Sequence, residues 1–205
     1  GNERTPLTRD TLTTGGALLL ACALAWVWLA TSDMGMSGGM GGMAMPEVPW
    51  TPAYAFSVFL MWAIMMVAMM LPSATPMILL YAGVMSRQGA AAVLPPTFVF
   101  AGAYVAVWTV SSALATASQW GLSETGLMGG AMRLHDQALS GALLIGAGLF
   151  QLTPLKRICL ARCRAPLSFL AAYWRPGFAG ALGMGLRHGL YCVGCCWFIM
   201  ALLFV

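Results

Sequence analysis

The stretch HGLYCVGCCW, His188 to Trp197, puts one imidazole and three thiols within nine residues of an otherwise apolar run. On a helix advancing about 100° per residue, His188, Cys192 and Cys195 fall within roughly 60° of one another. Cys196 lies at the edge of that arc, and Met184 precedes His188 by one turn. Soft sulfur and imidazole donors on one stripe suit Cu(I), for which two ligands suffice, whereas zinc wants four. The plain alternative is small cysteines packing at a helix crossing. Three of them beside a histidine in an apolar segment favour the metal, because an ionisable group inside a membrane usually marks a site.

Three further sulfur groups join this candidate. Met34, Met36, Met40, Met43 and Met45 recur at short spacings in a glycine-rich segment, Ser32 to Trp50. Thioethers bind Cu(I) without losing a proton, and this segment has no apolar periodicity to occupy them in a core. Met61, Met65 and Met69 recur every four residues and so share a helix face, with Met66, Met70 and Met77 as a neighbouring stripe. Taken alone, such a stripe is more often packing between helices than a metal path. Cys159 and Cys163, in KRICLARCR, are flanked by Lys156, Arg157, Arg162 and Arg164, whose charge favours thiolate. They are a candidate hand-off site, or two reduced surface cysteines. Cys192 and Cys195 also form a C-x-x-C pair able to exchange with disulfides. A relay to clients would need a second exposed pair on the outer side, and the other cysteines, Cys22, Cys159, Cys163 and Cys196, supply none there.

The elements that carry these groups are membrane helices. The 205 residues are 60% hydrophobic and 8% charged, with a mean hydropathy of +0.81. Soluble domains carry about 25% charged residues. The composition therefore predicts an all-α, multi-pass transmembrane bundle, a single domain over 1–205, and excludes a soluble core. The net charge of +4 comes from sparse basic residues and is no nucleic-acid signal. Five apolar segments are expected as helices, at about 14–31, 52–85, 96–119, 138–155 and from 178 onward. Pro72 and Pro76 are expected to bend the second. The last run reaches Val205 with no polar flank, from which we expect a further helix beyond it.

Loops are read at 32–51, rich in Met and Gly, and at 156–176, basic and cysteine-bearing. An interfacial helix is expected within the latter, from Pro166 to Trp174. With the N-terminus in the cytoplasm, Arg4, Arg9, Arg87, Lys156, Arg157, Arg162, Arg164 and Arg175 all face inward, leaving Arg133 outside and Arg187 in the last helix. Asp33, Glu47, Glu124 and Asp136 then face outward. This orientation puts the methionine loop outside, and Cys159 and Cys163 inside, a bacterial cytoplasmic membrane.

The blocks FLMWAIMMVAMMLPSATPMILLY, FQLTPLKRICLARCRAPLSF and GLRHGLYCVGCCW together resemble a bacterial family of predicted metal-binding integral membrane proteins, a family whose domain has no assigned function. The resemblance spans about Phe56 to Val205. It implies metal-associated roles for Met61, Met65, Met66, Met69, Met70, Pro72, Cys159, Cys163, His188, Cys192, Cys195 and Cys196. It implies no reaction, and the methionine loop is not among the shared blocks.

These observations predict a Cu(I)-binding membrane protein that acquires copper, transfers it or delivers it to a copper enzyme, a binding role more than a catalytic one. Its partners would be the bilayer and other membrane subunits or that enzyme, with no nucleic acid. Two other classes stay open: an accessory subunit of a copper-dependent oxidase or monooxygenase, and a thiol–disulfide oxidoreductase using Cys192 and Cys195.

Overall fold

The computed structural model describes residues 9–31, 49–90, 92–128, 134 and 136–205. Its elements are α1 (Arg9–Thr31), α2 (Pro52–Arg87), α3 (Leu94–Glu124), α4 (Gln137–Leu152), α5 (Pro154–Arg164), α6 (Pro166–Tyr173) and α7 (Gly177–Ala201), closed by a 3₁₀ turn, Leu202–Phe204. Among the described residues there are seven α-helices and no strand beyond one isolated bridge, Met128 to Leu134. The fold is all-α and bundle-like. Helices α1, α2, α3 and α7 are each long and apolar enough to cross a membrane. Helices α4 and α5 make a fifth candidate span, bent by 66° at their junction.

Local chemistry sets the helix ends. Pro52 opens α2, where its missing N–H is no loss, and the Thr51 hydroxyl accepts from the Tyr54 N–H at 3.2 Å. Helix α2 then runs unbroken through Pro72 and Pro76, so the expected bend does not divide it. The Ser73 hydroxyl donates to the Met70 carbonyl at 2.7 Å and Thr75 to the Leu71 carbonyl at 2.9 Å. Such back-bonding meets the polar needs of a proline-bearing helix where water is absent. The helix stops at Gly89, with φ 69°, where the Gly89 and Ala90 N–H groups turn back onto Ser86 and Met85. Only glycine adopts that left-handed backbone without strain. The Asp136 carboxylate caps α4 by accepting from the Ala138 and Leu139 N–H groups at 2.7 and 3.0 Å.

The segment expected as a basic loop, 156–176, is mostly helical. Thr153 ends α4, and its hydroxyl accepts from the Lys156 N–H at 3.4 Å, so it also caps α5, with Pro154 at the first helical position. Helix α6, Pro166–Tyr173, matches the expected interfacial helix in place and length. The charges of α5 hid its helix from an apolar-periodicity reading.

Helix α7 lies at the centre of the site, against α3 on one side and α5 on the other. Gly185 and Gly189, one turn apart, allow the α3 approach. A β-carbon at Gly185 would strike the Phe100 carbonyl and come within 2.8 Å of the Ala103 β-carbon. One at Gly189 would stand 2.9 Å from the Val107 β-carbon. Small residues four apart are how membrane helices bring backbones together. The core between α2, α3, α6 and α7 contains Trp62, Met66, Met70, Met77, Tyr81, Phe100, Tyr104, Phe169, Met184 and Cys192. Trp62 donates its indole N–H to the Gln119 side-chain oxygen at 2.9 Å within it.

Candidate metal centre

Three sulfur atoms converge between α5 and α7. The Sγ atoms of Cys163, Cys192 and Cys195 all lie within 4.8 Å of one another. Cys192 and Cys195 are buried and Cys163 is half-buried. Cys192 and Cys195 come together because they are three apart on α7, facing α5. Cys163 reaches them because α5 folds back onto α7 at the 66° bend. Gly194 permits this contact: a β-carbon there would lie 2.9 Å from the Cys159 Sγ. Cys196, half-buried, has its Sγ 3.3 Å from that of Cys195. All six cysteines are free thiols.

The donor set fits a soft ion. With metal–sulfur bonds of about 2.3 Å, three sulfurs around one metal in a plane stand about 4.0 Å apart. Separations within 4.8 Å admit that spacing with a small adjustment. Three thiolates complete a Cu(I) shell, whereas zinc would want a fourth ligand.

Tyr104, on α3, joins the centre. Its hydroxyl lies 3.0 Å from the Met70 carbonyl, to which it donates, and 3.3 Å from the Cys192 Sγ. A phenol has one proton, so with that proton on Met70 its oxygen accepts from the Cys192 thiol. The contact ties α2, α3 and α7 together at the level of the trio. Sequence reasoning missed Tyr104. The available signal was a phenol inside the apolar run FAGAYVAVW, since a buried tyrosine hydroxyl needs a partner.

His188 is buried on the expected stripe of α7 but is not among the grouped thiols. Its ring lies among those of Phe100, Tyr104 and Phe169, at centroid distances of 6.3, 5.5 and 5.4 Å. Its Nδ1 is buried and has no hydrogen-bond partner. Met184 is buried one turn earlier. Cys159 packs against Gly194 and stands outside the trio. The methionines of α2 divide. Met66, Met70 and Met77 are buried, while Met61, Met65 and Met69 are only partly so, packed at the edge of the same core. The inward face is thus the neighbouring stripe. Met34, Met36, Met40, Met43 and Met45 lie outside the described residues.

Basic residues gather in the part of the sequence that carries the centre. Residues 137–205 contain Lys156, Arg157, Arg162, Arg164, Arg175 and Arg187 and no Asp or Glu. The guanidinium carbons of Arg187 and Arg162 lie 4.9 and 5.9 Å from the centroid of one ring, that of Tyr173. The Tyr173 and Tyr191 hydroxyls are 3.1 Å apart. The hydrogen bond from Tyr191, and then the two cations, hold the Tyr173 phenol below its ordinary pKa.

The model of a family described as PpoB2, copper chaperone, matches residues 59–205, well over half of the chain. That match takes in α5, α6 and α7 and most of α2, and so every residue of the thiol centre. No curated protein and no solved structure matches the chain.

Proposed function

The chain belongs to the PpoB2 copper-chaperone family, and from that premise we propose that it holds Cu(I) as cargo on Cys163, Cys192 and Cys195 and passes it on within a membrane. The observation that carries this reading is the convergence of three thiol sulfurs from two separate helices to within 4.8 Å. Cysteines that merely fill space have no reason to aim their sulfurs at one point. Cys196, beside Cys195, is placed to take over a ligand position during exchange. Tyr104 steadies Cys192 through its hydroxyl. Buried Met66, Met70, Met77 and Met184 give the surrounding core soft, neutral sulfur that tolerates a copper ion in transit.

Four or five membrane-crossing helices suit an integral membrane chaperone. The inward-facing basic residues support a cytoplasmic N-terminus, with the 32–51 segment on the far side. Met34 to Met45 would then collect Cu(I) there and supply the thiol centre. The recipient would be a copper enzyme. No nucleotide-binding motif occurs, so the transfer runs by ligand exchange down an affinity gradient.

Metal analysis of the purified chain tests this. We expect about one copper per chain when it is prepared with Cu(I) under reducing conditions, and loss of that copper in Cys192→Ser. Stoichiometric copper retained in Cys192→Ser, or a wild-type chain that takes zinc in preference to Cu(I), would overturn the assignment.

A further inference from the structure

Two guanidinium groups share one aromatic ring beside the thiol centre, and no carboxylate of that part of the chain neutralises them. Arg162 comes from α5 and Arg187 from α7, and both stand over Tyr173 of α6. Like charges brought to one place repel unless something negative joins them. The ring face attracts each cation, but this offsets only about 0.5–2 kcal/mol and adds no counter-charge. No Asp or Glu occurs after Asp136. Asp136 is engaged in capping α4, Glu124 accepts from the Trp120 indole at 3.2 Å at the C-terminal end of α3, and Asp10 lies in the first turn of α1; among the described residues neither Arg162 nor Arg187 has an ion pair.

The hydroxyls add a donor. Tyr173 and Tyr191 share one hydrogen bond, which uses one of their two phenolic protons. The second is left to point at an acceptor. Two exposed guanidiniums and a spare hydroxyl proton are what an oxyanion needs for charge-assisted binding. Arg162 is the residue before Cys163, the most accessible sulfur of the trio.

We propose that Arg162, Arg187 and the Tyr173–Tyr191 hydroxyl pair form an oxyanion site at the mouth of the thiol centre, which takes the carboxylate of an anionic thiol carrying Cu(I). The identity of this carrier rests on the copper reading above; the oxyanion site rests on geometry alone. Docking the carboxylate brings the carrier's Cu(I)–sulfur bond up to Cys163. That bond breaks as the Cu(I)–Sγ bond to Cys163 forms. The Cys163 proton ends on the released carrier sulfur, and copper stays Cu(I) throughout. Release runs the same steps in reverse, so the same site also unloads copper that the methionine segment has supplied.

The test uses the full chain, metal-free, in nanodiscs of zwitterionic lipid. N-acetyl-S-methylglutathione, an anionic peptide with no free thiol or amine, is titrated by equilibrium dialysis beside its uncharged dimethyl ester. We expect saturable binding of the acid, at least tenfold weaker binding of the ester, and at least tenfold weaker binding of the acid by Arg162→Gln/Arg187→Gln. The acid–ester comparison is made on the wild-type chain, so it holds even if the double variant folds poorly. Equal binding of acid and ester overturns the proposal, as does an unaffected, folded double variant. Displacement of the acid by added phosphatidylglycerol, with binding of that lipid lost in the double variant, also overturns it, because the cations would then be a headgroup site. Copper is counted on parallel samples of the same chains prepared with Cu(I) under reducing conditions. Copper without peptide binding sinks this inference alone. Peptide binding without copper leaves the oxyanion site standing, and sinks both the copper reading and the carrier built on it.

Discussion

Gly194→Ala should weaken copper binding although it removes no ligand. The added β-carbon would sit 2.9 Å from the Cys159 Sγ, where ordinary contact begins at 3.4–4 Å. Cys159 is buried, at 8% exposure, so its sulfur has little room to swing aside. Helix α5 must then retreat from α7 by about 0.5–1 Å. Cys163, one turn further along α5, retreats with it. Metal binding asks for the opposite motion. Three sulfurs within 4.8 Å of one another must settle near about 4.0 Å around a metal with bonds of about 2.3 Å. Overpacking of this size costs about 1–3 kcal/mol, which is about a 5- to 150-fold rise in Kd if it falls on the bound state. The assay is competition for Cu(I) against a coloured chelator of known affinity, with helix content followed by circular dichroism. Cys159→Ala removes the obstructing sulfur. Alone it should bind copper as wild type does, and combined with Gly194→Ala it should restore affinity. Wild-type affinity in Gly194→Ala would refute the reasoning, and so would a loss that persists in the double variant.

Replacing His188 with Leu should leave copper stoichiometry unchanged, because its ring packs among Phe100, Tyr104 and Phe169 and not within the thiol group; loss of copper on metal analysis would make it a ligand. Gly185→Ala should lower the thermal midpoint, since its β-carbon strikes the Phe100 carbonyl, at a cost of about 1–3 kcal/mol; an unchanged midpoint by scanning fluorimetry would contradict the close α3–α7 contact. Trp62→Phe removes the donor to the Gln119 oxygen, held at 2.9 Å in the core, and leaves a buried amide oxygen unpaired, at about 1–3 kcal/mol. Adding Gln119→Leu should recover part of that loss, which a double-mutant cycle would measure.

Much of the fold was legible because a membrane helix declares itself by length and hydropathy alone. The expected spans at 52–85 and 96–119 differ from α2 and α3 by only a few residues at their ends. The α7 stripe was legible for the same kind of reason, since helical periodicity fixes which residues of one helix share a face. What periodicity cannot give is the neighbour. His188 and Cys192 share a face, yet α3 and α6 surround the one with rings and α5 supplies the other with a thiol. On α2, a strict period of four picks out Met61, Met65 and Met69. The buried face runs instead through Trp62, Met66, Met70, Met77 and Tyr81. Trp62 marked that face, because its indole N–H favours an acceptor and is paired with Gln119.

Helix α5 escaped notice for a reason that also explains the centre. Lys156, Arg157, Arg162 and Arg164 break any apolar pattern, and the excess of positive charge reads as a loop outside the bilayer. The same residues are helical because Thr153 and Pro154 start a helix and Gly194 leaves a hollow for its buried face. The α7 stripe therefore supplies two of the three sulfurs, and the distance between α5 and α7 decides whether the third arrives. The α3–α7 contact at Gly185 and Gly189 does not involve α5, so it is the α5–α7 spacing at Gly194 that sets the third sulfur's place. A chaperone must both hold copper and let it go. On the proposed reading, one ligand would sit on the helix beyond a 66° bend and two on a helix packed backbone to backbone, so that the two tasks would fall to different parts of the chain.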